Sequence, residues 1–330
     1  MQTEKEILLD VRALSKHFPV KHHVLGHTIG QVHSVNQVSF SIRRGDTLGL
    51  VGESGCGKTT LGRTILRLIE PTDGRIVFDG TDITHCNTRD MRHIRRKMQI
   101  IFQDPYAALN PRMSIQAILE EPLTIHKLAH SKEERNKRIQ QLLDYVQLSR
   151  TVLGKYPHEF SGGQRQRICI ARALAVEPIF MVCDEAIAAL DVSVQAQVIN
   201  LLMDLQKELG LTYLFISHDL KVVEFIADHV AVMYLGKIVE MAPAEAIYRC
   251  PKHPYTKALF SAIPTLDPTQ KNKRIILQGD VPSPMQLPTG CPFHPRCWKA
   301  TELCTRVYPE LKNTTEGQEH VFACHHPENA

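Results

Sequence analysis

Apolar and polar residues alternate from Gln37 to Ser41, the period-two pattern of a strand with one buried face. Arg43-Arg44-Gly45-Asp46 then reads as a turn into Thr47–Val51, which is apolar after its first residue, as a strand buried on both faces should be. That run leads directly into Gly52-Glu53-Ser54-Gly55-Cys56-Gly57-Lys58-Thr59-Thr60, and the periodicity of Leu61–Ile69 predicts a helix. Pro71-Thr72-Asp73-Gly74 is a turn signal, and Arg75–Phe78 a further strand ending at Asp79-Gly80. Arg89, Arg92, Arg95, Arg96 and Lys97 against a single Asp90 read as a solvated helical face. Residues 104–159 are helical in pattern, with Ile139, Leu142, Leu143 and Val146 on one face, and are expected to form an insert between two halves of an α/β core. A helix from about Gly163, a strand Ile179–Cys183, a helix Val192–Leu209 stopped by Gly210 and a strand Thr212–Ile216 complete the alternation. Such alternation gives a mostly parallel sheet with helices packed against it.

Prolines become dense beyond about Arg249 and the periodicity fades, which places a domain boundary near 250. Lys21–Val32, rich in histidine and glycine, reads as a surface loop. No apolar run approaches the roughly 20 residues a membrane-spanning helix needs, and Met1–Glu6 is charged and polar, so a soluble cytoplasmic protein without a signal peptide is expected. Composition changes this picture little: 330 residues, 43% hydrophobic and 22% charged, exclude wholesale disorder. The net charge of +4 falls well short of a dedicated nucleic-acid binder. Nine cysteines, an odd number, argue against a disulfide framework.

Gly52 to Thr59 fits the spacing G-x-x-x-x-G-K-[ST] between a buried strand and a helix. Glycines let the backbone curl so that successive N–H groups face phosphate oxygens, and the helix beginning near Lys58 adds the positive end of its dipole. Lys58 then supplies charge to the β- and γ-phosphates, and the Thr59 hydroxyl a ligand to Mg²⁺. Asp184 and Glu185 end an apolar strand, which suits Asp184 to Mg²⁺ and Glu185 to general-base work on a water. Ser161-Gly162-Gly163-Gln164 opens a helix with a hydroxyl and free amides, a second anion site. Two such sites in one chain suggest that they serve one nucleotide jointly across a reciprocal dimer.

The order of these motifs resembles the ATP-binding subunit of an ABC transporter over about residues 7–250. The fold implied is α/β: a P-loop NTPase (ABC ATPase) core with a helical subdomain insert at about 104–160 and a proline- and cysteine-rich C-terminal extension, 251–330. Gly52–Thr59 resembles Walker A, Gln103 the Q-loop glutamine, and Ser161, Gly162, Gly163 and Gln164 the signature motif. Asp184 and Glu185 resemble Walker B with the catalytic glutamate, Ala189-Leu190-Asp191 the D-loop, His218 the switch histidine and Phe18 the aromatic that stacks on adenine. The resemblance implies catalysis by Glu185, His218 and Gln103, and Mg²⁺ on Thr59, Gln103 and Asp184. It implies ATP contacts from Gly52, Glu53, Ser54, Gly55, Cys56, Gly57, Lys58, Thr59, Thr60 and Asp191.

Phe102-Gln103-Asp104-Pro105, His253-Pro254-Tyr255-Thr256-Lys257 and Gly290-Cys291-Pro292-Phe293-His294-Pro295-Arg296-Cys297 are similar to the ATPases of dipeptide, oligopeptide and nickel importers, most like the second ATPase subunit of a peptide system. That likeness implies ATP-driven peptide uptake at the cytoplasmic face of the inner membrane. The partners implied are a different ATPase subunit, two membrane permease subunits and a periplasmic or extracellular substrate-binding protein, with no nucleic acid. One departure is Ala186, where the family usually has proline behind the glutamate. Cys291, Cys297, Cys304 and Cys324 crowd the tail, with His325 and His326 beside the last. Four thiolates can hold a 4Fe–4S cluster or tetrahedral Zn²⁺, or remain unliganded. The wide spacing and the resemblance favour the 4Fe–4S cluster, as a staple for a segment with little periodic core.

Overall fold

The computed structural model of the chain describes residues 5–21, 28–263, 274–313 and 319–328. Two units emerge: Met1–Arg43, Thr47–His85 and Ser217–Ala330 in one, Arg44–Asp46 and Cys86–Ile216 in the other.

In the first unit, strands Ile7–Lys21 and Thr28–Arg43 pair antiparallel, and Asp73–Phe78 and Thr81–Asp82 extend the sheet beyond Ile7–Lys21. Alternation explains the pairing: Leu9, Val11, Val38, Phe40 and Ile42 are buried while Arg12 and Ser39 are exposed. The histidine- and glycine-rich stretch is thus corrected in part. Thr28–Val32 is not loop but strand, opposite Phe18 to Lys21; a ladder of backbone hydrogen bonds overrides its weak local propensity. His22 to His27 lie outside the described residues. Strand Thr47–Val51 falls where the apolar run predicts it, and it lies parallel to His229–Tyr234 with Leu48 opposite His229. A hairpin at Leu235-Gly236 returns the chain along Lys237–Pro243, against which Val321–Phe322 pairs. The C-terminal segment is thus tied back by strand pairing.

Its packing is substantial. Tyr234, Tyr255 and Phe293 are fully buried, with ring centroids 4.7 to 5.4 Å apart. The buried Glu240 carboxylate accepts from the backbone N–H groups of Lys252 and His253 and contacts His320 at 2.7 Å, which satisfies a charge that would otherwise be costly to bury.

In the second unit, Met98–Ile101, Phe180–Asp184 and Thr212–Ile216 form parallel strands in that spatial order. Helices Pro105–Ala108, Ile115–Ile125 and Lys132–Tyr145 occupy the segment between the first two strands. Each begins at an Asp or Ser whose side chain accepts a backbone N–H of the first turn. Helix Thr88–Lys97 buries only Met91, as a solvated basic face should. Helix Val192–Leu209 ends at Gly210, whose φ of +65° closes it in the left-handed conformation. Among the described residues no helix is long and apolar enough to cross a membrane.

Candidate nucleotide site

The phosphate loop leaves the buried strand Thr47–Val51 and opens helix Lys58–Ile65. Leu61 N–H donates to the Gly57 carbonyl at 2.9 Å, closing the first turn. Gly57 has φ +109°, and a Cβ there would stand 2.0 Å from the Ser34 carbonyl oxygen, so only glycine fits. The turn at Gly236 braces the loop: its N–H donates to the Cys56 carbonyl at 2.9 Å, and its own carbonyl accepts from Asn36 at 2.8 Å. Lys58 is buried, its Nζ donating to the carbonyls of Gly52 at 2.8 Å and Glu53 at 3.1 Å. The ammonium is therefore held over the loop, where an arriving phosphate can draw it away. Burial pushes the Cys56 thiol pKa up, which keeps it neutral beside Lys58. Ser54 and Gly55 are exposed, and Thr59 and Thr60 half-buried. Phe18, on strand Ile7–Lys21, is half-buried with the Lys16 ammonium 4.9 Å from its ring centroid.

The second unit carries the carboxylates. Asp184 is the last residue of its strand and is buried. Glu185 follows at φ +50°, its N–H donating to the Ile216 carbonyl, and its Oε2 accepts from Gln103 Nε2 at 2.8 Å. Structure thus brings together two residues 82 positions apart. Ala186 behind them is buried.

Ser161 caps helix Gly162–Leu174. Its Oγ accepts from Gln164 N–H at 3.4 Å while Gln164 Oε1 accepts from Ser161 N–H at 3.1 Å, a reciprocal capping box absent from the sequence reading. Gly163 faces Val194, whose Cγ1 would lie 2.3 Å from an added Cβ. Arg165, buried, donates to the Pro157 and His158 carbonyls and stacks on Tyr106 at 3.7 Å. Asp191 precedes helix Val192–Leu209 without a side-chain cap bond and is exposed, as is Val192 at 82%. His218, in the first unit, is exposed.

Cys291, Cys297, Cys304 and Cys324 line one small cavity together with His253 and Phe293. Burial pushes the Cys291 thiol up to about 11 and Cys324 up to about 12, so all the more protein or metal charge would be needed to ionise them. Among the described residues, however, no three His, Cys, Asp or Glu side chains are grouped as a metal ion requires. His325 contacts the Val307 carbonyl and His326 the Thr301 hydroxyl, each at 2.9 Å, so their rings are engaged elsewhere. The 4Fe–4S or Zn²⁺ expectation therefore has the donor set but not the closed arrangement.

Two contacts escaped the sequence altogether. Tyr255 Oη accepts from Glu53 N–H at 2.8 Å, and Arg296 donates from two nitrogens to the Glu53 carboxylate.

Comparison with known proteins agrees with these features. Residues 35–188 match the ABC transporter family, and residues 239–304 match the oligopeptide/dipeptide transporter C-terminal region. A putative peptide import ATP-binding protein of Brucella ovis is 53% identical over 96% of this chain and 97% of its own. The oligopeptide transport ATP-binding protein AppF of Bacillus subtilis is 48% identical (97% and 98% covered), and the dipeptide transport ATP-binding protein DppF of Haemophilus influenzae 50% (98% of each). Among solved structures, cbiO1 of Clostridium perfringens, part of the ABC transporter complex cbiONQ, superposes with a TM-score of 0.64 at 26% identity over 74% of this chain and 92% of that one. The ATP-binding cassette MJ0796, solved as a post-hydrolysis dimer with ADP and Pi, gives 0.63 at 27% identity over 72% and 99%. Phosphate loop, strand-end carboxylates and capped signature helix coincide with likeness along nearly the whole length, and the chain belongs to the ABC transporter ATP-binding proteins, in the group that carries the oligopeptide/dipeptide transporter C-terminal region.

Proposed function

We propose that this ATPase energises uptake of dipeptides or oligopeptides, as one of two ATP-binding subunits on a pair of membrane permease subunits fed by an external substrate-binding protein. Its place is the cytoplasmic face of the inner membrane, and nucleic acid has no part. The observation that carries the hydrolytic half of this reading is the Gln103–Glu185 hydrogen bond at the carboxyl end of a buried parallel strand. Likeness to peptide-import proteins over at least 96% of the chain supports the transport half.

Lys58 and the loop amides after Glu53, whose own N–H is engaged by Tyr255, take the β- and γ-phosphates, Phe18 stacks on adenine, and Thr59, Asp184 and Gln103 would hold Mg²⁺. Bound there, Mg²⁺ would supply charge neutralisation to the phosphates. Glu185 accepts the proton of the attacking water, with Gln103 and His218 orienting it. The exposed, uncapped Asp191 and the exposed Val192 suit a face that meets the other ATPase. There Ser161, Gly162, Gly163 and Gln164 reach the nucleotide of the partner, and closure transmits through the helical insert. A different ATPase as partner, giving a heterodimer, is the arrangement we favour. In the tail, four thiols on one cavity fit a 4Fe–4S cluster by donor chemistry, with Zn²⁺ as the alternative, provided the side chains draw inward. The role assigned is a structural staple.

Glu185→Gln tests the catalytic assignment. It keeps the side-chain shape and a hydrogen bond to Gln103 while removing the proton acceptor. ATP binding should persist and hydrolysis fall roughly 10²–10⁴-fold; near-parental turnover would reassign the base. Copurification of the full chain with permease subunits, rather than with RNA or DNA, checks the setting.

A further inference from the structure

Glu53 is the second residue of the phosphate loop, and its backbone N–H and its carboxylate are both engaged from outside the loop, while its carbonyl is held within it. Its backbone N–H donates to Tyr255 Oη at 2.8 Å, and its carbonyl accepts from Lys58 Nζ at 3.1 Å. Its carboxylate receives Arg296 Nη1 at 2.7 Å and Nη2 at 3.1 Å, a two-point fork that fixes orientation as well as charge. Arg296 belongs to the short turn His294–Arg296 between Cys291 and Cys297, and its side chain is 8% exposed against 29% for Glu53. Tyr255 is fully buried in the ring cluster with Tyr234 and Phe293. The cysteine-bearing tail thus stands on the nucleotide loop through the buried side chains of Tyr255 and Arg296.

A carboxylate at the mouth of a phosphate loop opposes what the loop is for. Bare, it repels the polyanion that the amides and Lys58 attract. Paired to a guanidinium that cannot deprotonate, it becomes a neutral fixed strut. We propose that Arg296 is a positioning residue of the nucleotide site: it cancels the Glu53 charge and, with Tyr255, holds the loop in the form that receives ATP. The C-terminal lobe is then part of the ATP site of its own chain, and loss of its internal order is felt as weakened nucleotide binding. This inference rests on the reading of Gly52–Thr60 as the ATP-binding loop.

The test is nucleotide titration of the purified full-length chain, with thermal melting recorded alongside. Arg296→Ala should weaken ATP binding about tenfold at low salt, ADP less than ATP, and the defect should shrink as salt rises. Glu53→Gln added to Arg296→Ala should restore most of the ATP affinity, because it removes the charge left unpaired. A purely structural role for Arg296 predicts no dependence on phosphate count and no such rescue. Arg249→Ala, which alters an exposed arginine on another helix, should match the parent. If Arg296→Ala does not fold, Arg296→Lys carries the test: it keeps the charge but loses the fork, and a two- to threefold loss, about that size, is expected. ATP affinity within experimental error of the parent in a folded Arg296 variant overturns the inference while leaving the ATP site standing. A parent chain that does not bind ATP overturns the nucleotide-site reading itself, and this inference with it.

Discussion

Gly57→Ala is the sharpest steric perturbation available in the phosphate loop. The added Cβ would lie 2.0 Å from the Ser34 carbonyl oxygen and 2.9 Å from Met233 Cε, where real Cβ atoms essentially never come within 3.0 Å. Met233 can swing its flexible end aside. Ser34 cannot, because its carbonyl belongs to strand Thr28–Arg43. The backbone must therefore shift by about an ångström, an overpacking cost of about 1–3 kcal/mol. The φ of +109° adds strain of about 1–3 kcal/mol, since alanine avoids that region. Whatever part of this is relieved by abandoning the receptive loop appears as lost affinity: about 3 kcal/mol corresponds to roughly 100-fold weaker ATP binding. Gly55→Ala is the matched control. Its φ of +79° is also left-handed, yet an added Cβ would meet nothing within 4 Å. Only the conformational term of about 1–2 kcal/mol applies, so a loss between about fivefold and 30-fold is expected. Equilibrium ATP titration of both full-length variants, with melting curves to confirm folding, separates the two costs. Equal defects in the two variants would refute the argument that contact with Ser34, and not backbone strain alone, reserves position 57 for glycine.

Three further outcomes are expected. Gly162→Asp places a carboxylate at the first position of the signature helix, where the dipole favours it and only the mobile Leu190 Cδ2, at 3.3 Å, is near; the variant should fold and bind ATP through its own Lys58, while hydrolysis by the assembled pair fails, and loss of ATP binding by the isolated variant would place the motif in cis. His253 is fully buried and neutral, its pKa pushed down to about 4 by burial against the opposing pull of Glu240. An unfolded histidine takes up its proton near pH 6.5, so stability is fully present above that pH and falls by on the order of 3 kcal/mol as the pH drops towards 4; melting temperatures from pH 7 to 4.5 should show this, and His253→Asn, which still caps helix Pro254–Ser261, should flatten the slope. Finally, the 4Fe–4S cluster proposed for the tail predicts about four irons per chain and absorbance near about 400 nm in anaerobically purified protein; replacing any of Cys291, Cys297, Cys304 or Cys324 should then abolish both and replacing Cys86 should not, one zinc per chain in a colourless preparation selects the alternative metal, and a metal-free preparation refutes both.

Legibility in the sequence followed the range of the forces involved. Strand Thr47–Val51, helix Val192–Leu209 and strand Thr212–Ile216 coincide with their apolar runs because turn residues such as Gly45 and Gly210 bound them locally. Helix Lys58–Ile65 ends four residues before its apolar period does. Much of the cause is distant: Arg67 turns to φ +53° and sends its buried guanidinium to the carbonyls of Ile83 and Thr84, 16 and 17 residues on, as well as to the nearby Glu70 carboxylate. The first strand, Ile7–Lys21, has alternation interrupted by irregular pairing at several points, so no fixed period marks it. The phosphate loop and the carboxylates after Cys183 were legible because nucleotide chemistry imposes spacing within a few residues. The Gln103–Glu185 bond and the Arg296–Glu53 fork, 82 and 243 positions apart, obey no spacing at all. Nothing in Gly290–Cys297 announces that its arginine answers a glutamate in the phosphate loop; the fold alone supplies that neighbour. For the same reason the tail cannot be treated as an appendage to a finished ATPase. Its Tyr255 and Arg296 hold the one phosphate-loop residue whose charge works against the phosphate, so a truncation that removes the tail should perturb the phosphate loop as well as the stability of the fold.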